Sequence, residues 1–164
     1  MTIKLFCGKI CSGKSYAAEK LSEKENAALL SVDELMLTVY EECLGENHRA
    51  AEKRCLGYLL KKAAELAALG VNVIIDHGFY QFAERDYARK YLANAGIKTE
   101  WHYMKSDDAL RKKRLTQRNA ALSLSPKREY IITMEMMARF DSLFEEPTQE
   151  EMTEFFIDFY FNGD

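Results

Sequence analysis

Gly8-Lys9-Ile10-Cys11-Ser12-Gly13-Lys14-Ser15 is the stretch that decides the fold. It satisfies G-x-x-x-x-G-K-[ST] at every fixed position. Glycines at 8 and 13 let the backbone aim consecutive N–H groups at one point, where anionic oxygens can sit. A helix starting at Lys14 adds the positive end of its dipole. Lys14 has the reach to meet β- and γ-phosphates, and the Ser15 hydroxyl suits Mg²⁺. Lys9, Ile10, Cys11, Ser12 and Tyr16 complete the cradle. The loop therefore predicts ATP and Mg²⁺ as ligands. It leaves the fate of the γ-phosphate open, because kinases, GTPases and motor ATPases share it.

The flanking sequence supports that reading. Thr2 to Cys7 is a short apolar run that predicts a strand feeding the loop. Ala27 to Val32 reads as a second strand, ending at Asp33. From Glu34 to Leu69 the pattern turns helical: Leu56, Leu59, Leu60, Ala63, Ala64 and Ala67 recur at spacings of three and four, until Gly70 stops the run. Val71-Asn72-Val73-Ile74-Ile75 is the strongest strand signal, and Asp76 follows it. Further on, Phe82 to Ala95 predicts a helix, Thr99 to Met104 a strand, and Asp107 to Asn119 a basic helix. Thr133 to Phe144 predicts another helix and Phe155 to Phe161 a final strand. Strands alternating with helices predict an α/β fold: a parallel sheet covered on both faces, with ligands beyond the carboxyl ends of the strands. Gly8 to Ser15, Asp33, Asp76 and the stretch after Met104 all fall at that edge.

The chain has 164 residues and two prolines, which predicts one domain over 1–164 with no long disordered linker. A formal net charge of −3 argues against a duplex nucleic-acid binder, although Lys105 to Arg118 is locally basic. Its apolar runs are too short to span a bilayer, and the start lacks signal-peptide character. Cys7, Cys11, Cys43 and Cys55 form no Cys-x-x-Cys and no zinc spacing with a nearby His. They read as small hydrophobes in a reducing, cytoplasmic compartment.

The remaining polar residues suggest an acceptor side. Asp33 stands where a carboxylate could orient an acceptor hydroxyl and take its proton; the competing role is a helix N-cap. Asp76, ending an apolar strand, has the form of a Walker B aspartate that holds Mg²⁺ or its water shell, or else caps the next loop. His77, beside it, reads either as a plain loop histidine or as a residue that meets the substrate. Arg111, Arg114 and Arg118 share one helix face, suited either to charge on a transferring phosphoryl group or to a solvated basic surface. Asn119 to Lys127 reads as loop, and the segment from about 107 to 130 as a lid.

Taken together these pieces resemble the AAA_33-type P-loop kinases, relatives of polynucleotide 5′-hydroxyl kinase, zeta toxin and chloramphenicol phosphotransferase. The resemblance rests on Gly8 to Ser15, Ser31-Val32-Asp33-Glu34 and Val73-Ile74-Ile75-Asp76-His77-Gly78-Phe79. Arg85, Arg114-Leu115-x-x-Arg118-Asn119 and Phe144-Glu145-Glu146-Pro147-Thr148-x-Glu150-Glu151 extend it. It implies a three-layer α/β/α sandwich with strand order 2-3-1-4-5. It implies Asp33 as base, Arg118 with Arg114 as lid arginines, Arg85 shaping the acceptor or phosphate side, and Phe144 to Glu151 near the nucleotide. Polynucleotide kinases of this group carry an arginine shortly after the catalytic Asp. Leu35, Met36, Leu37 and Thr38 occupy that stretch here, which disfavours a nucleic-acid end and favours a less charged hydroxyl acceptor. The helical insert at about 34–69 is the expected seat of acceptor specificity, with Tyr40, His48, Arg49 and Arg54 either as its candidate polar contacts or as plain surface. The expected activity is ATP-dependent phosphotransfer to an alcohol. The rivals are an NTP hydrolase and a non-enzymatic nucleotide-binding module.

Overall fold

The computed structural model describes residues 2–40, 44–122 and 129–157. In chain order the elements are β1 (Thr2–Cys7), α1 (Lys14–Glu25), β2 (Ala28–Ser31), α2 (Val32–Tyr40), a 3₁₀ turn (Gly45–Asn47) and α3 (His48–Ala68). Then come β3 (Val73–Asp76), α4 (Phe82–Asn94), β4 (Lys98–Lys105), α5 (Asp108–Leu122), α6 (Met134–Asp141), a second 3₁₀ turn (Gln149–Glu151) and β5 (Glu154–Ile157). The five strands form one sheet in the order β2-β3-β1-β4-β5, and every pair is parallel. This is the strand order that the resemblance implies.

Alternation along β1 assigns the two faces. Ile3, Leu5 and Cys7 join Val73, Ile75, Leu60, Ala63, Ala88 and Leu92, so α3 and α4 cover that face. Phe6, Ile74 and Met104 point the other way and pack on Ala18 and Leu21 of α1. All four residues of β3 are buried, as a strand covered on both faces requires. Each such aliphatic side chain contributes about 1.5–3 kcal/mol on burial.

Several boundaries differ from expectation. The second strand stops at Ser31, and α2 begins at Val32, so Asp33 lies in the first helical turn. The capping role weighed for Asp33 falls to Ser31, whose hydroxyl accepts from the Glu34 amide at 3.3 Å. The helical run over 34–69 is two helices broken by the Gly45–Asn47 turn. α5 runs on to Leu122, so Asn119 to Leu122 are helix rather than loop; Ala120, Ala121 and Leu122 are good helix formers. Residues 123–127 of the expected loop lie outside the described residues. Thr133 is an N-cap whose hydroxyl accepts from the Met136 amide at 3.1 Å, so α6 starts one residue later and ends earlier than its pattern suggested. β5 covers Glu154–Ile157, and the rest of the expected strand, 158–161, falls outside the described residues.

Candidate active site

Strand register assembles the site. Asp76 at the end of β3 pairs with Phe6 on one side and Ser31 on the other. Phe6 is followed by Cys7 and the glycine loop, and Ser31 by Val32 and Asp33. Three post-strand segments therefore emerge side by side, with Asp76 in the middle. A fourth, Lys105-Ser106-Asp107, arrives from β4, whose Tyr103 pairs with Cys7.

The loop between β1 and α1 is shaped by sterics. Gly8 has φ +149°, and a Cβ there would stand 2.4 Å from the Met104 carbonyl oxygen. Gly13, the residue before α1, has φ 100° and Cys11 has φ 59°. A non-glycine residue held in the left-handed region costs of order 1–3 kcal/mol, a cost the surrounding contacts must offset. One of those contacts is the Ser12 amide donating to the Lys9 carbonyl at 3.2 Å. The Ser12 carbonyl in turn accepts from the Ser106 hydroxyl at 3.2 Å and from Arg114 Nη1 at 3.4 Å. Ser12 Oγ is buried without a hydrogen-bond partner among the described residues. Lys14 Nζ folds over the loop toward the Lys9 carbonyl, 3.3 Å away, and Ser15 is exposed at the rim. A cavity of about 270 Å³ opens beside the loop, lined in part by Lys9, Ser12, Tyr103, Ser106, Arg111 and Glu146.

Asp33 lies in the first turn of α2, directly after β2, and its side chain is accessible to water. Burial raises its carboxyl pKa above the ordinary value, and the Asp76 charge adds to the rise. Lys14, Arg118 and His48 pull the other way. His77 is buried and its ring stands edge-on to Phe79 at 4.9 Å. Desolvation, with a smaller contribution from Lys14, pushes its pKa down to about 3. It is therefore neutral at pH 7 and adds no charge beside the loop.

Among the described residues, no group of three or more His, Cys, Asp or Glu could hold a metal ion. The donor set at the loop is different: one hydroxyl, Ser15, and one carboxylate, Asp76, both hard oxygen donors. That suits Mg²⁺, which keeps waters and shares phosphate oxygens rather than filling a protein cage.

Arg111, Arg114 and Arg118 share one face of α5, but the face turns inward. Arg111 is 1% exposed and grips Asp141 of α6 through both terminal nitrogens, one at 2.8 Å. Arg114 is buried against the loop and also donates to Ser106 Oγ at 3.2 Å. Arg118 is partly exposed; its Nε donates to Glu129 at 2.8 Å and its Nη2 to the Tyr130 carbonyl at 2.9 Å. The alternative of a solvated basic surface thus fits only the intervening Lys112 and Lys113, which are exposed.

Arg85 is 1% exposed and holds protein groups: Glu151 through Nε at 2.7 Å, and the Phe79 and Glu145 carbonyls at 3.0 Å each. It shapes the site indirectly, by clasping the Phe144–Glu151 segment to the loop after β3. Two further residues bear on these groups without any signal in the sequence. The Tyr80 hydroxyl accepts from the Ile10 amide at 2.9 Å, so it engages the phosphate loop itself. Glu52 of α3 lies within the electrostatic reach of Asp33. A lone Tyr in a loop and a Glu on a charged helix carry no sequence signal. Only the fold brings them in.

The architecture and the glycine loop together define a P-loop kinase fold. The chain belongs to the AAA_33 family, described as an AAA domain, which it matches over residues 3–146. No curated protein matches it in sequence. Solved structures similar to it include the APS kinase of Mycobacterium tuberculosis in complex with AMPPNP and APS, at 21% identity and a TM-score of 0.69, covering 95% of this chain and 87% of that one. A gluconokinase from Sinorhizobium meliloti is 14% identical with a TM-score of 0.68, covering 95% and 82%. Shikimate kinase from Bacteroides thetaiotaomicron is 13% identical with a TM-score of 0.61, covering 96% and 86%. At such identities the likeness is one of fold.

Proposed function

We propose that this chain is an ATP-dependent phosphotransferase that moves the γ-phosphate of Mg-ATP to a hydroxyl of a small acceptor. The observation that carries it is the placement of Asp33: a water-accessible carboxyl two residues beyond Ser31, which pairs with Asp76 across the sheet, under the influence of both Lys14 and Arg118. A nucleotide switch or a plain binder has no use for a carboxyl there. A base next to the phosphate cradle is what an alcohol acceptor needs.

Backbone amides from Gly8 to Tyr16 bind the phosphates, and Lys14 swings from the Lys9 carbonyl onto the β- and γ-oxygens. Ser15 and Asp76 would hold Mg²⁺, which when bound neutralises charge on those oxygens. The acceptor oxygen forms its bond to the γ-phosphorus as the bond to the β–γ bridging oxygen breaks, ADP leaves, and the hydroxyl proton passes to Asp33. Arg118 leaves Glu129 to stabilise the equatorial oxygens, while Arg114 keeps the loop in shape through the Ser12 carbonyl. The segment at about 107–130 serves as lid and that at about 34–69 as acceptor insert, within a single unit over 1–164. Among the described residues no helix is long and apolar enough to cross a membrane. The described cysteines, Cys7, Cys11 and Cys55, are free thiols, which supports a reducing, cytoplasmic setting.

The test follows the label of γ-labelled ATP. Appearance in an organic phosphate ester, dependent on Asp33, supports the reading. Rapid release as inorganic phosphate with no acceptor present would favour a hydrolase instead.

A further inference from the structure

Resting on the phosphotransferase reading, we propose that Tyr80 is a positioning residue for Lys14: it fixes the peptide between Lys9 and Ile10, and that peptide supports the lysine over the phosphate loop. The contact is direct. The Tyr80 hydroxyl accepts from the Ile10 amide at 2.9 Å. The carbonyl of the same peptide, on Lys9, accepts from Lys14 Nζ at 3.3 Å and from the Ser12 amide at 3.2 Å. In a planar trans peptide the C=O and N–H bonds point opposite ways, and no cis peptide occurs among the described residues. A hydrogen bond that fixes the direction of the Ile10 N–H therefore fixes that of the Lys9 carbonyl. Lys14 rests on that carbonyl until phosphate arrives. Its chain is then already folded over the loop, which cuts the ordering cost of binding. A peptide freed from Tyr80 samples orientations in which Lys14 loses this support, and part of the binding energy of Mg-ATP goes into restoring it.

The segment after Asp76 is built to present that hydroxyl. Gly78 has no room for a Cβ, which would stand 2.5 Å from Cδ2 and Cε2 of Tyr80. Phe79 adopts φ 47°, a left-handed conformation that is costly for a bulky side chain. Hydrogen bonds on both sides offset that cost. The Phe79 carbonyl accepts from Arg85 Nη1 at 3.0 Å, and the Tyr80 carbonyl accepts from the Glu145 amide at 2.8 Å. The Phe79 ring is buried, edge-on to Trp101 at 4.9 Å. The Tyr80 ring stands edge-on to Phe140 at 6.3 Å and to Phe144 at 5.4 Å, so the phenol is held by its neighbours rather than free to swing. The Gly8 amide donates to the Gly78 carbonyl at 3.2 Å. The opening limb of the phosphate loop is therefore stitched to this segment at two points, and Tyr80 supplies the one that bears on Lys14. Burial pushes the Tyr80 phenol above its usual range, so it stays neutral and keeps its lone pairs for the amide.

A double-mutant cycle on Mg-ATP affinity, measured by calorimetry, tests this without knowing the acceptor. Tyr80→Phe keeps the ring and removes the hydrogen-bond acceptor. It should weaken Mg-ATP binding by about three- to tenfold, the scale of one hydrogen bond, and amide exchange at Ile10 should speed up. Lys14→Arg keeps a positive charge, but its planar head cannot rest on the Lys9 carbonyl in the same way. In that background Tyr80→Phe should cost less than about twofold. Gly78→Ala reaches the same contact independently. Gly78 has no positive φ, so the added Cβ acts by driving the Tyr80 ring off the amide. It should reproduce both the loss and its dependence on Lys14, and it carries the test if Tyr80→Phe fails to fold. An equal loss in the two lysine backgrounds overturns the inference, because Tyr80 then acts on the loop without Lys14, and it leaves the phosphotransferase reading standing. Binding by Tyr80→Phe at wild-type affinity overturns it as well. Wild-type protein that fails to bind Mg-ATP sinks both.

Discussion

Arg85 Nε donates to Glu151 Oε1 at 2.7 Å, joining the middle of the chain to its far end across 66 residues. The same guanidinium caps the Phe79 and Glu145 carbonyls, so a single side chain ties the loop after β3 to the segment leading into β5. Its side chain is 1% exposed and that of Glu151 10%. The pairing helps hold the Glu151 carboxyl below its usual range, although partial burial opposes it. Removing one member of such a pair strands the other. Arg85→Ala should lower the unfolding free energy by roughly 3–5 kcal/mol, read from urea denaturation. Arg85→Lys should recover little, because an ammonium group cannot span three acceptors. A loss under about 1 kcal/mol in Arg85→Ala would show that the clasp is decorative.

His77 predicts an acid-labile fold. Its folded pKa of about 3 lies below the unfolded value of 6.5, so the unfolded chain binds more protons between those limits. Stability is full above pH 6.5 and falls as the pH drops, by up to about 1.4 kcal/mol per pH unit. His102, buried between Phe6 and Phe156, shifts in the same direction through desolvation. Urea midpoints measured from pH 7 to pH 4 should decline steadily, and His77→Gln should flatten the slope. Identical slopes for variant and wild type would contradict the burial of a neutral imidazole.

Glu52 carries the opposite sign. Its pKa is raised to about 7, first by desolvation and then by Asp33 and Glu84. The folded state therefore holds on to a proton that the unfolded chain releases above the ordinary value of 4.5, and stability is lost as the pH rises from there to about 7. Glu52→Gln should be more stable than wild type at pH 8, by on the order of 1 kcal/mol after allowance for solvent screening. At pH 4, where the carboxyl is protonated in both states, the difference should vanish. Thermal unfolding at the two pH values checks it. A destabilised variant at pH 8 would mean that Glu52 is a structural anchor.

Much of this was legible in the sequence because local chemistry carried it. Gly8, Gly13, Lys14 and Ser15 define the loop through backbone freedom and side-chain type, and the β-branched run before Asp76 identifies the central strand. The boundaries at Ser31 and Leu122 were less legible. They turn on which neighbouring residue wins a cap or extends a helix, and tertiary contacts settle that. The inward turn of Arg111 and Arg114 was hidden for a similar reason. Spacing places three arginines on one face, but only Asp141 and the Ser12 carbonyl decide which way the face looks. Tyr80 and Glu52 are invisible until topology brings Tyr80 onto Ile10, 70 positions away, and packs α3, which carries Glu52, against α2, which carries Asp33.

The most direct measurement is single-turnover transfer from γ-labelled ATP by the Asp33→Asn variant, alongside calorimetric ATP affinity. Asparagine keeps the shape and loses the base. The account predicts Mg-ATP affinity within about twofold of wild type and transfer slowed by 10² or more, the scale of general-base catalysis. Transfer at the wild-type rate with unchanged affinity would contradict it.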